Sequence, residues 1–138
     1  MTLSNDPVFA QTPKTVGITF GSSSQSTEMD PATVSPTTLL TAGSDGTLVT
    51  SVEATAEATV TAAKIVLWIQ PSGTGNWYVV TTGVLAAYTQ AATDAQGSIT
   101  LVDKLDPNAA VRLAASDVLG ITHHVDQQLM VVAEYTNF

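Results

Sequence analysis

Cysteine is absent from this 138-residue chain, which excludes structural disulfides, thiolate metal sites, cysteine nucleophiles and iron–sulfur clusters. Only four residues are Lys or Arg, against twelve Asp or Glu, so the formal net charge is −8. Four cations are too few to follow a phosphate backbone or an anionic membrane surface, so we expect neither partner. The N-terminal stretch has no basic segment before an apolar one, and no apolar run approaches about eighteen residues. We therefore expect no signal peptide and no membrane span.

The residues that are abundant favour strands over helices. The chain holds 22 Thr, 18 Ala, 16 Val and 11 Ser, and only 12% of its residues are charged. β-Branched residues favour strands, while the Leu, Glu and Lys that cover solvent-facing helices are scarce. The composition predicts an all-β protein, and its few charges indicate a surface that largely meets protein rather than water. We expect an extended N-terminal arm at residues 1–13 and a single β-sandwich domain at residues 14–138.

Alternating apolar residues and turn signals predict eight to ten short strands, spaced about every ten to twelve residues. This spacing is typical of a jelly-roll-like antiparallel β-sandwich, although it does not determine the strand order. Two hairpins are predicted, one around Asp45-Gly46 and one around residues 71–75. Residues 21–36 are predicted to form a long polar loop that crosses an edge or an end of the fold, or contacts a neighbour. The predicted strands are residues 14–20, 37–41, 47–55, 63–70, 76–82, 83–88, 98–103, 110–114, 117–122 and 128–135.

Two groups of residues invite a metal hypothesis. His123, His124 and Asp126 have the right chemistry for zinc, but adjacent strand residues point to opposite faces, which favours a polar loop before the last strand. Asp103, Asp106 and Asn108 resemble part of a calcium loop, but its glycine and its final glutamate are missing. A turn around Pro107 explains the second group without an ion.

No sequence pattern points to catalysis or to nucleotide binding. There is no nucleophile elbow, P-loop or dinucleotide fingerprint, and Glu53 and Glu57 have no aromatic platform beside them for sugar cleavage. We therefore expect no enzyme activity, no cofactor, and no catalytic, cofactor-binding or metal-binding residue. Among the aromatic residues, Trp68 lies in the most apolar run and is predicted to be core. Trp77 and Tyr78 are adjacent, so we expect one of them to face outward as a contact, with protein favoured over sugar as its partner.

Three segments together resemble a family of phage proteins. These are TTLLTAGSDGTLVTSVEATA, then AAKIVLWIQ followed by NWYVV, and finally LDPNAAVRLAASDVLGITHHVDQQLMVVAEYTNF. Over residues 37–138 this pattern of strands and turns is similar to that of small β-sandwich structural proteins of tailed bacteriophages. The resemblance implies a non-enzymatic virion protein, most plausibly a capsid decoration or head-associated protein. No functional residue carries over, because such proteins act through surfaces.

The resemblance also implies partners and a location. The partners would be the major capsid protein or other virion proteins, together with further copies of the chain in a homo-oligomer. The location would be the virion, assembled in the host cytoplasm. We expect the arm at residues 1–13 to attach the protein by adding backbone hydrogen bonds to a neighbouring sheet edge. The alternatives are a tail or head–tail connector component, a carbohydrate-binding module or fibre tip with Trp77 exposed, and a secreted or pilus-like sandwich, which would need an export signal.

Overall fold

Nine β-strands and no helix form the part of the chain that the computed structural model describes, which is residues 12–20, 29–32, 34–125 and 127–138. All the strand pairings are antiparallel, so the prediction of an all-β antiparallel fold is confirmed. Within these residues there is accordingly no helix that could cross a membrane. The strands are β1 (Thr12–Phe20), β2 (Thr37–Thr41), β3 (Thr47–Ala56), β4 (Ala63–Gln70), β5 (Tyr78–Leu85), β6 (Ser98–Val102), β7 (Val111–Leu113), β8 (Val118–His123) and β9 (Leu129–Asn137).

The strands form two sheets, and four of the strand pairings are nested along the chain. Sheet A has the order β1-β9-β3-β6, with β7 paired to the first residues of β3, and sheet B has the order β2-β8-β4-β5. Strand β1 therefore pairs with β9, β2 with β8, β3 with β6, and β4 with β5. Such nesting is what a long hairpin gives when it is rolled into two layers, and it makes the sandwich jelly-roll-like.

The core lies between the two sheets and is filled by alternate residues of each strand. On β9, Leu129, Val131 and Ala133 are completely buried while Met130 and Glu134 face outward, as the alternation of this strand predicts. Strands of both sheets contribute to the same cluster, whose fully enclosed side chains include Val49, Val52, Ala54, Ile65, Leu67, Leu85, Leu119 and Ile121.

The prediction of a hairpin over residues 37–55 is wrong, although its turn is real. Gly46 has a φ of 97°, and its amide donates to the carbonyl of Gly43, which closes the turn around Asp45. The two strands nevertheless belong to different sheets, since β2 pairs with β8 and β3 pairs with β9. A tight turn reverses the chain direction without requiring that its flanking strands pair with each other. Here each of the two strands pairs instead with a strand that is distant in the sequence.

The remaining strand predictions, apart from the one at residues 83–88, are confirmed to within a few residues. The hairpin of β4 and β5 is present, and β4 spans residues 63–70 as predicted. The strand predicted at residues 83–88 is instead the end of β5, followed by an isolated pairing of Tyr88 with Val60. Strand β1 begins at Thr12, two residues before its predicted start. Residues 1–11 of the predicted arm lie outside the described residues.

A buried carboxylate joins three connections at one end of the sandwich. The Oδ1 atom of Asp117 accepts from the amide of Ser72 and its Oδ2 atom from the amide of Ala114, each at 2.9 Å. Its carbonyl oxygen accepts from the amide of Ala42 at 2.8 Å. One residue therefore holds the β2–β3, β4–β5 and β7–β8 connections together, and the backbone donors satisfy its buried charge.

Candidate interaction surfaces

The outer face of sheet B is apolar at its centre and is covered by the chain itself. Val66 and Trp68 of β4 point away from the main core and are fully buried. Val34 and Trp77 pack against them as a second, smaller cluster. We call residues 29–32 and 34–36 together with Trp77 the sheet B cover. The described part of the loop predicted at residues 21–36 thus lies on a face of its own sandwich; residues 21–28 and 33 lie outside the described residues.

Backbone hydrogen bonds hold the sheet B cover in place. The side chain of Asp30 accepts from the amide of Ala32 at 3.0 Å, and its carbonyl accepts from the amide of Val34 at 3.1 Å. The amide of Trp77 donates to the carbonyl of Pro31 at 3.0 Å, which joins the two parts of the cover. This arrangement gives the apolar centre of sheet B a fixed lid without a partner molecule.

A glycine in the central strand β8 makes room for the cover. A Cβ atom at Gly120 would lie 2.8 Å from the Cβ atom of Pro36 and 2.8 Å from the ring of Trp77. Real Cβ atoms do not approach so closely, so the cover lies directly on the glycine backbone. Beside it, the indole nitrogen of Trp68 donates to the hydroxyl of Thr122 at 2.9 Å, which satisfies both buried polar groups.

The three aromatic residues singled out in the sequence fall into two classes. Trp68 is a core residue, as predicted. Of the adjacent pair, Tyr78 is the one that faces outward, with 45% of its surface exposed, while Trp77 is half-buried in the cover. Trp77 is therefore a packing residue whose ring lies against Gly120, and it offers no open platform for a sugar ring.

The outer face of sheet A is polar, and no described segment covers it. Ser51, Glu53 and Thr55 of β3 lie beside Val132 and Glu134 of β9 and line a shallow hollow of about 250 Å³, which Lys104 borders. A second hollow of about 340 Å³ shares Glu134 and extends to β1, where Pro13, Lys14 and Thr15 line it. We call the outward residues around these two hollows the sheet A face.

The strand register places the two carboxylates of the sheet A face close to each other. Glu53 lies opposite Val132, and Ser51 lies opposite Glu134, so the glutamates are diagonal neighbours on adjacent strands. Both are exposed. Hydroxyls and carboxylates on a flat sheet accept hydrogen bonds and attract cations, so this face suits a partner surface rich in amide, Lys or Arg donors.

The candidate metal ligands are separated or used elsewhere. His123 is buried, and its Nδ1 atom lies 2.7 Å from the carbonyl oxygen of Val125, while Asp126 lies outside the described residues. Asp103 and Asp106 each accept from the backbone amide two residues ahead, at 2.9 Å, which is the turn role predicted for them. Over the described ranges, no three His, Cys, Asp or Glu residues come together as a metal site would require.

The comparisons with known proteins identify a fold. No family model matches the chain, and no curated protein matches its sequence. Among solved structures, it is similar to a chain in the acid-stable capsid structure of Helicobacter pylori bacteriophage KHP30. The match covers 93% of this chain and 90% of that chain, with a TM-score of 0.52 and 9% sequence identity. The two chains share a fold.

A second solved structure, of the Gx strain of infectious bursal disease virus, aligns with 99% of this chain but with only 45% of its own chain. Its TM-score is 0.25 and its sequence identity is 14%. This lower similarity adds nothing to the fold assignment.

Two features of these surfaces were not predicted from the sequence. A glycine inside a strand pattern signals a close approach of another group, and Gly120 in the apolar run of β8 was such a signal. The proximity of Glu53 to Glu134 had no signal in the sequence, because 81 positions separate them along the chain. Only the register of β3 on β9 brings them together.

Proposed function

We propose that this protein is a structural component of a tailed-phage virion that binds the capsid lattice in many copies and stabilises it, acting through its surfaces rather than as an enzyme. The observation that carries the proposal is the fold match to a chain of a phage capsid structure, which spans nearly the whole of both chains. Because the aligned part is 93% of one chain and 90% of the other, the two are of similar length. The resemblance of residues 37–138 to small virion proteins supports the same assignment.

The sheet A face is the surface that we assign to the lattice. It is flat and polar, it carries Glu53 and Glu134, and among the described residues nothing covers it. A capsid contact through this face would match the carboxylates with basic or amide donors of the capsid protein. The net charge of −8 would keep decorated particles apart in solution.

The N-terminal arm supplies a second proposed attachment. Strand β1 forms an edge of sheet A and begins at Thr12, so residues 1–11 precede it. Eleven extended residues span up to about 36 Å, which is enough to reach a neighbouring subunit. Deleting residues 1–11 is expected to leave the unfolding curve unchanged and to lower attachment. A truncated protein that still occupies capsids fully would contradict this role.

Co-sedimentation with capsids tests the proposal. Purified protein is mixed with empty capsids assembled from the major capsid protein of the same phage, and the bound copies per particle are counted after a sucrose gradient. We expect hundreds of copies per particle. A few copies per particle would instead indicate a connector or tail component, and no binding at any concentration would refute the proposal.

A pair of charge variants tests the assigned face. Glu53→Lys with Glu134→Lys reverses the charge of the sheet A face and is expected to reduce the bound copies strongly. The matched control is Asp45→Lys with Asp94→Lys, which makes the same charge change at two exposed turn residues that line neither hollow. Equal loss by both variants would show that only net charge matters, and the sheet A face would then not be the lattice contact.

A further inference from the structure

Strand β5 is an edge strand with little protection against pairing, and its one irregularity is a bulge at Val80, where the register with β4 shifts. It pairs with β4 on one side, and no described strand pairs with its other side. Its eight residues include no charge and no proline. The other edges are protected: β1 carries Pro13 and Lys14, and β2, β6 and β7 have only five, five and three residues. A long edge without charge or proline is a template for pairing with another strand.

The outward row of β5 is also the part of sheet B that the cover leaves bare. The cover lies on Val66, Trp68 and Gly120, which belong to β4 and β8. On β5, Val79 is 41% exposed and Val84 is 62% exposed, so the apolar surface continues past the cover to the free edge. An added strand beside β5 would extend the sheet and shield this row from water.

The charge distribution favours a second copy of the chain as the added strand. Residues 65–93 contain no Asp, Glu, Lys or Arg, and this is the longest such stretch in the chain. On the four strands of sheet B, Lys64 is the only such residue. Two copies that each carry −8 repel one another, and residues 65–93, which include all of β5, contribute nothing to that repulsion. An edge that pairs with itself is also self-complementary by symmetry.

We infer that two copies associate by antiparallel pairing of their β5 edges, so that the two B sheets become one continuous eight-stranded sheet across a twofold axis. The contact would consist of backbone hydrogen bonds between the β5 strands, with the exposed valines of both copies on one face of the joined sheet. It leaves the sheet A face of each copy free, and it does not depend on the proposed role in the virion.

Analytical ultracentrifugation of the full chain tests the inference, with Val84→Lys as the disrupting variant. We expect the wild type to dimerise and Val84→Lys to raise the dimer dissociation constant by about tenfold or more, because lysine on an edge strand opposes pairing and both copies would carry it at the contact. The control is Thr100→Lys, which places the same charge on an exposed residue of the edge strand β6. A wild type that stays monomeric, or a dimer that Val84→Lys leaves intact, would overturn the inference.

Cross-linking gives an independent readout, and the absence of native cysteine makes it unambiguous. Residues that face each other in an antiparallel pair have Cα atoms about 4.5–5.5 Å apart, which suits a disulfide. Only the residue at the twofold axis faces its own copy, so cysteine is placed in turn at Val79, Val80, Thr81, Thr82 and Val84, and the pair Thr82→Cys with Val84→Cys covers an axis at Gly83. We expect one of these variants to form a covalent dimer on mild oxidation, and Thr100→Cys not to do so. No cross-link in any of them would overturn the inference.

Capsid binding tests whether the capsid protein, rather than a second copy of the chain, pairs with the β5 edge. If the free protein is monomeric and Val84→Lys lowers its binding to capsids while Thr100→Lys does not, the β5 edge pairs with the capsid protein. The inference of a contact between copies would then be wrong.

Discussion

The two outer faces of the sandwich are both formed by antiparallel strands. One face is covered by a segment of the chain, whereas no described segment covers the other. At the centre of sheet B, the outward residues Val66 and Trp68 are buried beneath the cover. At the centre of sheet A, the outward residues Met130 and Glu134 of β9 remain exposed. The difference lies in a few outward positions, since both inner faces contribute apolar side chains to the same core.

This contrast shows how a small sandwich divides its surface between stability and interaction. Apolar outward residues have to be removed from water, and the chain uses the sheet B cover for that purpose rather than a partner. Polar outward residues need no cover, so the sheet A face stays available for another molecule. Substitutions on sheet B should therefore change the free energy of unfolding, whereas substitutions on sheet A should change binding.

The two faces should differ most in the free energy of unfolding that is lost when a large outward side chain is replaced with alanine. Trp68 is 1% exposed and Met130 is 41% exposed, although each points outward from an inner strand of its sheet. Trp68→Ala should lower the free energy of unfolding by about 3–5 kcal/mol, because it leaves a cavity beneath the cover. Met130→Ala should lower it by less than about 0.5 kcal/mol. Urea unfolding followed by circular dichroism measures both; equal losses would mean that the faces do not differ in burial.

Two outward-facing glycines, Gly120 on sheet B and Gly17 on sheet A, allow a closer comparison of the two faces. Replacing either with alanine adds the same methyl group. A Cβ atom at Gly120 would meet the cover at 2.8 Å, whereas at Gly17 the nearest atoms lie 3.8 Å away on β9. Gly120→Ala should therefore cost about 1–3 kcal/mol through overpacking, and Gly17→Ala should be neutral or slightly stabilising. Thermal melts of the two variants decide the matter, and a melting temperature unchanged by Gly120→Ala would show that the cover does not lie on that glycine.

The elements that could be predicted from the sequence are those whose pattern is local. Residues 63–70 were predicted as a strand because the run contains apolar residues at successive positions, and the structure buries β4 on both faces. The hairpin over residues 37–55 was wrong because a turn gives no information about which sheet each strand joins. The cover and the sheet A face could not be predicted either, since both depend on pairings between residues that are far apart in the chain.

The hydroxyl of Thr122 allows a test of what the buried hydrogen bond on sheet B contributes to the free energy of unfolding. Thr122→Val removes the acceptor of the Trp68 indole while keeping the shape, so a buried N–H group is left without its partner. We expect a loss of roughly 1–2 kcal/mol, which Thr122→Ser should largely restore. Thr100→Val, on the exposed side of β6, is the control and should be nearly neutral. If Thr122→Val proves as stable as the wild type, the hydrogen bond contributes nothing net and the cover depends on apolar contact alone.

The smallest effect on stability should come from neutralising the sheet A face. Glu53 and Glu134 are exposed, so replacing both with Gln keeps their size and is expected to change the free energy of unfolding by less than about 0.5 kcal/mol. Capsid binding by the same double variant should fall and should become less sensitive to salt, because the charges that salt screens have been removed. A variant that unfolds much more easily would instead show that these carboxylates maintain the fold. The two faces would then both serve stability, and the lattice contact would have to lie elsewhere on the molecule.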